Sequence, residues 1–285
     1  MADSVIRLDI PRNPRRFALI LPREHGAWGI LLVPLVTGAA VGLLAGGRVA
    51  PVLLFTVAVV TLFWLRTPVE SWFGRGPMRT QTPQERRLVL SAILPLATAA
   101  TLTLSALLWN ENNRELLWLG AVAGVAFAAQ VFLKGFGRST RMAAQVAGTL
   151  ALTLTAPAAY YLVTGRLEAT AWVLWLVNFL FAGDQIHFVW LRIRGARAAG
   201  WSEKLTAGWS FLAGQILLAV ILSLAYYFGL LPQFALVAFA PIVFRGVLWF
   251  FQEHRPIAIR RLGWTELAHA VGFGVLLTIA FGIAK

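Results

Sequence analysis

Four histidines stand close to carboxylates in a chain that is otherwise poor in ionisable groups: Glu24-His25, Asp184-x-x-His187, Glu253-His254 and Glu266-x-x-His269. Imidazole beside carboxylate suits proton transfer and the binding of iron, zinc or manganese. At a spacing of i, i+3, Asp184 and His187 share one helical face, as do Glu266 and His269, and Leu191 and Arg194 continue the first of these. Paired Glu-x-x-His motifs supply ligands in di-iron helical bundles. The candidate metal ligands are therefore Glu24, His25, Asp184, His187, Glu266 and His269.

Asp184 leads the candidates for catalysis, together with Glu70 and His187, because a carboxylate inside an apolar segment is costly to bury unpaired. The plainer reading of Asp184 is a structural partner for an arginine such as Arg245, and the plainer reading of Glu24 and His25 is the first turn of a helix. Arg75, Arg79, Arg192, Arg194 and Arg245 are candidates for gripping an anionic group, since guanidinium forks match phosphate oxygens. Resting on anionic headgroups would equally explain the loop arginines.

These residues have to be positioned by membrane helices. Hydrophobic residues make up 59% of the chain and charged ones 13%. Apolar runs of about 20 residues, enough to cross a bilayer core, recur nine times: roughly 26–46, 50–68, 88–109, 115–133, 142–163, 169–190, 205–229, 232–250 and 265–284. The expected fold is an all-α polytopic membrane helix bundle, with a cytoplasmic arm over residues 1–24 and one transmembrane domain over 25–285.

Sorting the connections by charge sets the expected orientation. Of the 25 Lys and Arg, 21 fall on one side of such a bundle, and Arg48, Arg114, Arg166 and Lys285 fall on the other. The positive-inside rule then predicts a cytoplasmic N-terminus, an external C-terminus and a bacterial cytoplasmic (inner) membrane location. The net charge of +13 reads as topology, and nucleic acid is not an expected partner, because the charge is spread over loops beside an anionic surface. No signal peptide is expected, as the apolar run after Arg15-Arg16 ends at Pro22. The chain has no cysteine, which removes disulfides, thiolate metal sites and cysteine nucleophiles. Residues 66–87 read as a basic loop of unusual length, a candidate binding element.

The stretches "PREHGAW" at the first span and "HFVWLRIRGAR" after the sixth make the sequence resemble the YwiC-like family of bacterial integral membrane proteins. Nine helices, an inside N-terminus and polar motifs after helices two and six also resemble the UbiA-type prenyltransferases. That second resemblance implies a UbiA-like architecture, a prenyl diphosphate substrate and magnesium held by two aspartate-rich motifs. The chain departs from those motifs: Glu70 stands alone before "RGPMRT", and Asp184 is followed by His187.

The leading expectation is a cytoplasm-facing pocket that binds or transforms an isoprenoid or other lipid with an anionic head. Glu70, Asp184 and Glu266 would hold a divalent metal such as magnesium or orient a proton, and Arg75, Arg79, Arg192 and Arg194 would grip the head. Two alternatives stand beside it: a metal-dependent or redox membrane enzyme, and a transporter or non-catalytic membrane subunit.

Overall fold

The structure is a computed structural model, and it describes residues 14–22, 25–74, 78–109, 113–137, 139–198, 200–253 and 258–284. Among the described residues there are helices and turns and no strand. The helices are α1 (Pro14–Ile20), α2 (His25–Leu44), α3 (Ala50–Trp72), α4 (Pro83–Leu108), α5 (Glu115–Gly135), α6 (Arg141–Thr153), α7 (Thr155–Thr164), α8 (Ala169–Arg194), α9 (Trp201–Tyr227), α10 (Gln233–Val237), α11 (Ala240–Phe251) and α12 (Ile259–Ile283).

Taking α6 with α7 and α10 with α11 as single crossings, nine helical segments among the described residues are long and apolar enough to span a bilayer. They coincide with the nine hydropathy runs to within a few residues, except where a charged turn extends the helix. Their outer faces are apolar: Leu94, Leu102, Val125, Phe132, Ile216 and Val271 are all more than half exposed, as lipid-facing side chains are. The chain is a multi-pass membrane protein.

The two split crossings have a local cause. Proline has no amide hydrogen for the carbonyl four residues earlier, so Pro157 leaves the Thr153 carbonyl without its helical donor at the junction of α6 and α7. At the same junction Thr155 donates its hydroxyl to the Leu31 carbonyl at 3.1 Å, which ties the break to α2. Pro241 sits in the first turn of α11, where a missing donor costs nothing, just after α10 ends. Pro34, Pro68 and Pro95, by contrast, lie inside continuous helices.

The contacts fall into two compact units. The first comprises Met1–Arg23 and Val57–Leu104. Here α3 runs past Pro68 to Trp72 and α4 begins at Pro83, so the connection is residues 73–82. The long loop expected over 66–87 is thus about half helix. The start of α4 is a capping box readable as Thr82-Pro83-Gln84-Glu85: the Glu85 amide donates to the Thr82 hydroxyl at 3.2 Å, and the Glu85 carboxylate accepts from the Gln81 amide at 2.7 Å and the Thr82 amide at 3.3 Å. Arg15 of α1 adds an ion pair to Glu85 at 2.7 Å, and the Trp64 indole donates to the Ile20 carbonyl at 2.7 Å. Glu85→Ala is expected to lower stability, because the Gln81 and Thr82 amides and Arg15 all lose their acceptor. Glu85→Gln, which keeps an acceptor oxygen, should lose less; denaturation of the detergent-solubilised proteins followed by circular dichroism checks both.

The second unit comprises Glu24–Thr56 and Ser105–Lys285. In it α2 packs against α7 and α12, while α8 contacts α2, α6, α7, α9 and α11. Near the middle of the crossings, Asn178 of α8 donates to the Thr37 hydroxyl of α2 at 3.1 Å, with both side chains buried. The apolar centre is built from Val173, Leu174, Val177 and Phe181 of α8 with Phe273 and Leu277 of α12. Phe181 and Phe273 stack with centroids 4.0 Å apart.

Candidate functional site: a buried ionic cluster and an adjoining cleft

Four helices of the second unit bring polar side chains together. Arg245 of α11 donates from Nη1 to both carboxylate oxygens of Glu266 on α12, each at 2.5 Å. From Nη2 it reaches Oδ2 of Asp184 on α8 at 3.3 Å. The side-chain amide of Gln215 on α9 donates to Oδ1 of the same aspartate. Gln185, next to Asp184, donates to the Glu266 main-chain carbonyl at 2.7 Å and so fastens α8 to α12 a second time. The Phe188 ring lies under the guanidinium, 3.9 Å from carbon to centroid.

The cluster is almost dry. Side-chain exposure is 3% for Asp184, 8% for Glu266 and 12% for Arg245. Asp184 lies ten residues before the end of α8, about 15 Å along the axis at the helical rise. Each carboxylate retains a charged hydrogen-bond donor, which is the condition for holding charge inside a membrane protein. Arg192 of α8 adds positive charge near Glu266. Arg245 Nε and Gln215 Oε1 are buried without a hydrogen-bond partner.

One turn further along α8 a cleft of about 200 Å³ opens, lined by Met142, His187, Trp190, Leu191, Arg194, Ala207, Ser210 and Phe211. Its polar groups come from α8 and α9: His187 Nε2 lies 3.4 Å from the Ser210 hydroxyl. The donor and acceptor in that contact depend on the imidazole tautomer. Arg194 lies over the Trp190 ring at 5.1 Å. The Trp190 indole in turn donates to Gln145 Oε1 of α6 at 2.5 Å, so the aromatic wall that carries the guanidinium is pinned. Gly214 gives His187 its position, because a Cβ there would lie 2.9 Å from Nδ1 of the ring. Two of the cleft's lining residues, Leu191 and Phe211, belong to a buried cluster with Phe188, Trp249 and Phe250. Lys204 closes the neighbouring end of α11 by donating to the Phe250 and Gln252 carbonyls.

The expected site residues are therefore partly assembled. Asp184, Arg245 and Glu266 meet, and His187 and Arg194 share the adjoining cleft. The plainer expectation for Asp184, pairing with Arg245, is realised in the geometry. Glu70 pairs with Arg66 at 2.9 Å within α3. The main-chain carbonyl of Arg79 accepts from Arg15, and His269 Nδ1 contacts the Thr265 carbonyl at 2.6 Å. Glu24, Arg75 and the side chain of His25 lie outside the described residues. Among the described residues no three His, Asp or Glu side chains gather to form a metal site. The two i, i+3 pairs divide: each carboxylate turns to Arg245, while His187 turns to Ser210 and His269 to its own helix. Sequence reading passed over Ser210 and Trp190. Neither carried a local signal, since a serine or a tryptophan is ordinary near the end of a membrane helix.

Residues 21–160, just under half of the chain, match the family model described as YwiC-like protein. Over that stretch the chain is similar to the YwiC-like family. It is also similar to the protein named "Uncharacterized protein YwiC" of Bacillus subtilis (strain 168), 24% identical over 254 residues that cover 89% of this chain and 95% of the relative. No solved structure matches. The family match ends within α7, so around the ionic cluster and cleft it reaches only Met142 and Gln145; the remaining residues lie in the part covered by the longer pairwise similarity.

Proposed function

We propose that this membrane protein binds an amphiphile with an anionic head in the cleft between α8 and α9. The observation that carries the reading is the mixed lining: Arg194, His187 and Ser210 stand among Met142, Leu191, Ala207 and Phe211. A cationic fork, an imidazole and a hydroxyl suit an anionic oxygen group, and the apolar walls suit the first methylenes of a tail. The rest of such a tail would lie in the bilayer along α8 and α9, where Ile193, Trp209 and Ile216 are strongly exposed.

In this reading the Asp184–Arg245–Glu266 cluster is the support of the cleft. It fastens α8, α9, α11 and α12 together one turn from His187, and it commits Arg245 to the two carboxylates. The one-sided basic charge supports placing the cleft toward the cytoplasmic face of a bacterial inner membrane, with the N-terminus inside. An isoprenoid tail, as the UbiA-type resemblance implies, is one member of the ligand class.

Ser210→Leu tests the reading, because the new side chain would occupy the cleft from an exposed position on α9. Mass spectrometry of lipids retained by the purified protein is expected to find an anionic-headed amphiphile enriched over bulk lipid in the wild type and depleted in the variant. Identical lipid complements in the two proteins would overturn it.

A further inference from the structure

We propose that the head held in this cleft is a phosphodiester carrying one negative charge, and not a diphosphate. The inference rests on the amphiphile-binding reading and narrows it from the charges present. Arg194 is the only Lys or Arg among the lining residues. Arg245 is committed to Asp184 and Glu266, and Arg192 adds its charge beside Glu266 instead. One guanidinium fork matches two oxygens of a single phosphate, and His187 and Ser210 are within reach of one another to serve the remaining oxygens.

A terminal phosphate alone carries about 1.5 to 2 negative charges, and a diphosphate carries more. Such a head would place uncompensated charge one helical turn from Asp184, a carboxylate whose side chain is 3% exposed. Magnesium is the usual answer to that excess, bound through carboxylates and phosphate oxygens. The carboxylates of this site face Arg245, and among the described residues no group of three acidic or histidine side chains lines a metal site. The cleft is also preset for a single charge, since Trp190 holds the guanidinium over its ring while hydrogen-bonded to Gln145. Its volume of about 200 Å³ suits one phosphate with its first methylenes better than a diphosphate with a counter-ion shell.

The test is calorimetric titration of the full-length protein in detergent with four probes: dihexanoyl phosphatidylglycerol, dimethyl phosphate, and geranyl diphosphate with and without magnesium chloride. The phosphatidylglycerol is expected to bind best, and dimethyl phosphate, which has the diester but no tail, at least tenfold more weakly. Arg194→Gln should weaken phosphatidylglycerol binding about tenfold or more, the range of a charged hydrogen bond, and Arg194→Lys, which keeps charge without the fork, should fall between. Arg194 is exposed and makes no ion pair among the described residues, so an unchanged thermal midpoint is expected for both variants and confirms that they fold. If geranyl diphosphate with magnesium binds tightest and Arg194→Gln abolishes it, the cleft stands and the phosphodiester assignment falls. If dimethyl phosphate binds as tightly as the lipid, the amphiphile is wrong and the site takes a free anion. If Arg194→Gln alters none of the titrations, both the assignment and the cleft reading fall together.

Discussion

Arg245→Leu is expected to destabilise the folded protein by about 3–5 kcal/mol, the cost of removing one partner from a buried ion pair. Two carboxylates depend on this guanidinium. Glu266 receives both of its short contacts from Nη1, and Asp184 would keep only the amide of Gln215. With side chains 3% and 8% exposed, neither can turn to water without moving a helix. The measured consequence should be a large fall in thermal midpoint of the detergent-purified protein and a loss of monodisperse material on size exclusion.

The same logic predicts a rescue. Adding Asp184→Asn and Glu266→Gln to Arg245→Leu removes the charges that the guanidinium served, and replacing a whole buried ionic group is often close to neutral. The triple variant is therefore expected to regain most of the lost midpoint. A single Arg245→Leu protein as stable as wild type, or a triple variant no better than the single, would show that the cluster does not hold α8, α11 and α12 together.

Gly38→Ala should be one of the most damaging one-carbon changes in the bundle. A Cβ at Gly38 would lie 2.1 Å from the Ala156 carbonyl oxygen of α7. The obstacle is backbone, so relief requires moving α2 off α7, and overpacking of this kind costs about 1–3 kcal/mol or more. At Gly42 the nearest atom is the Val163 Cβ, at 2.9 Å, so Gly42→Ala should cost less. Gly124 and Gly272 have nothing within 4 Å of the added carbon. There alanine is expected to be neutral or to stabilise by up to about 1 kcal/mol, since glycine inside a helix is the poorer helix former. Thermal midpoints of the four variants test the order, and equal effects at Gly38 and Gly124 would contradict the close approach of α2 and α7.

That contrast shows how far the chain could be read without its fold. Seven glycines, Gly38, Gly42, Gly124, Gly148, Gly214, Gly272 and Gly274, look alike in sequence as small residues for helix packing. In the structure Gly38 meets backbone, Gly148 meets the Gln130 amide and Gly214 meets His187, whereas Gly124 and Gly272 face open space. A glycine reveals that close approach is permitted; the rotation of its helix decides whether a neighbour is there. The prolines divide in the same way, as Pro157 and Pro241 stand at breaks while Pro34 and Pro95 do not.

The sequence by itself determined the nine apolar crossings, and it also carries the start of α4, although residues 66–87 read there as a loop. Hydropathy is a property of consecutive residues, and the Thr82 to Glu85 cap closes over four of them. It also supplied the residues of the site: Asp184, His187, Arg194, Arg245 and Glu266 stand out because ionisable groups are costly in a membrane helix. Only the tertiary structure decided their partners. Asp184, Gln215, Arg245 and Glu266 lie on four different helices, up to 82 positions apart, and meet through the relative rotation of those helices. The i, i+3 spacing placed Asp184 and His187 on one face, but a face is wide enough for two neighbours. Arg245 drew the carboxylate into the bundle, and Gly214 and Ser210 left the imidazole in the cleft.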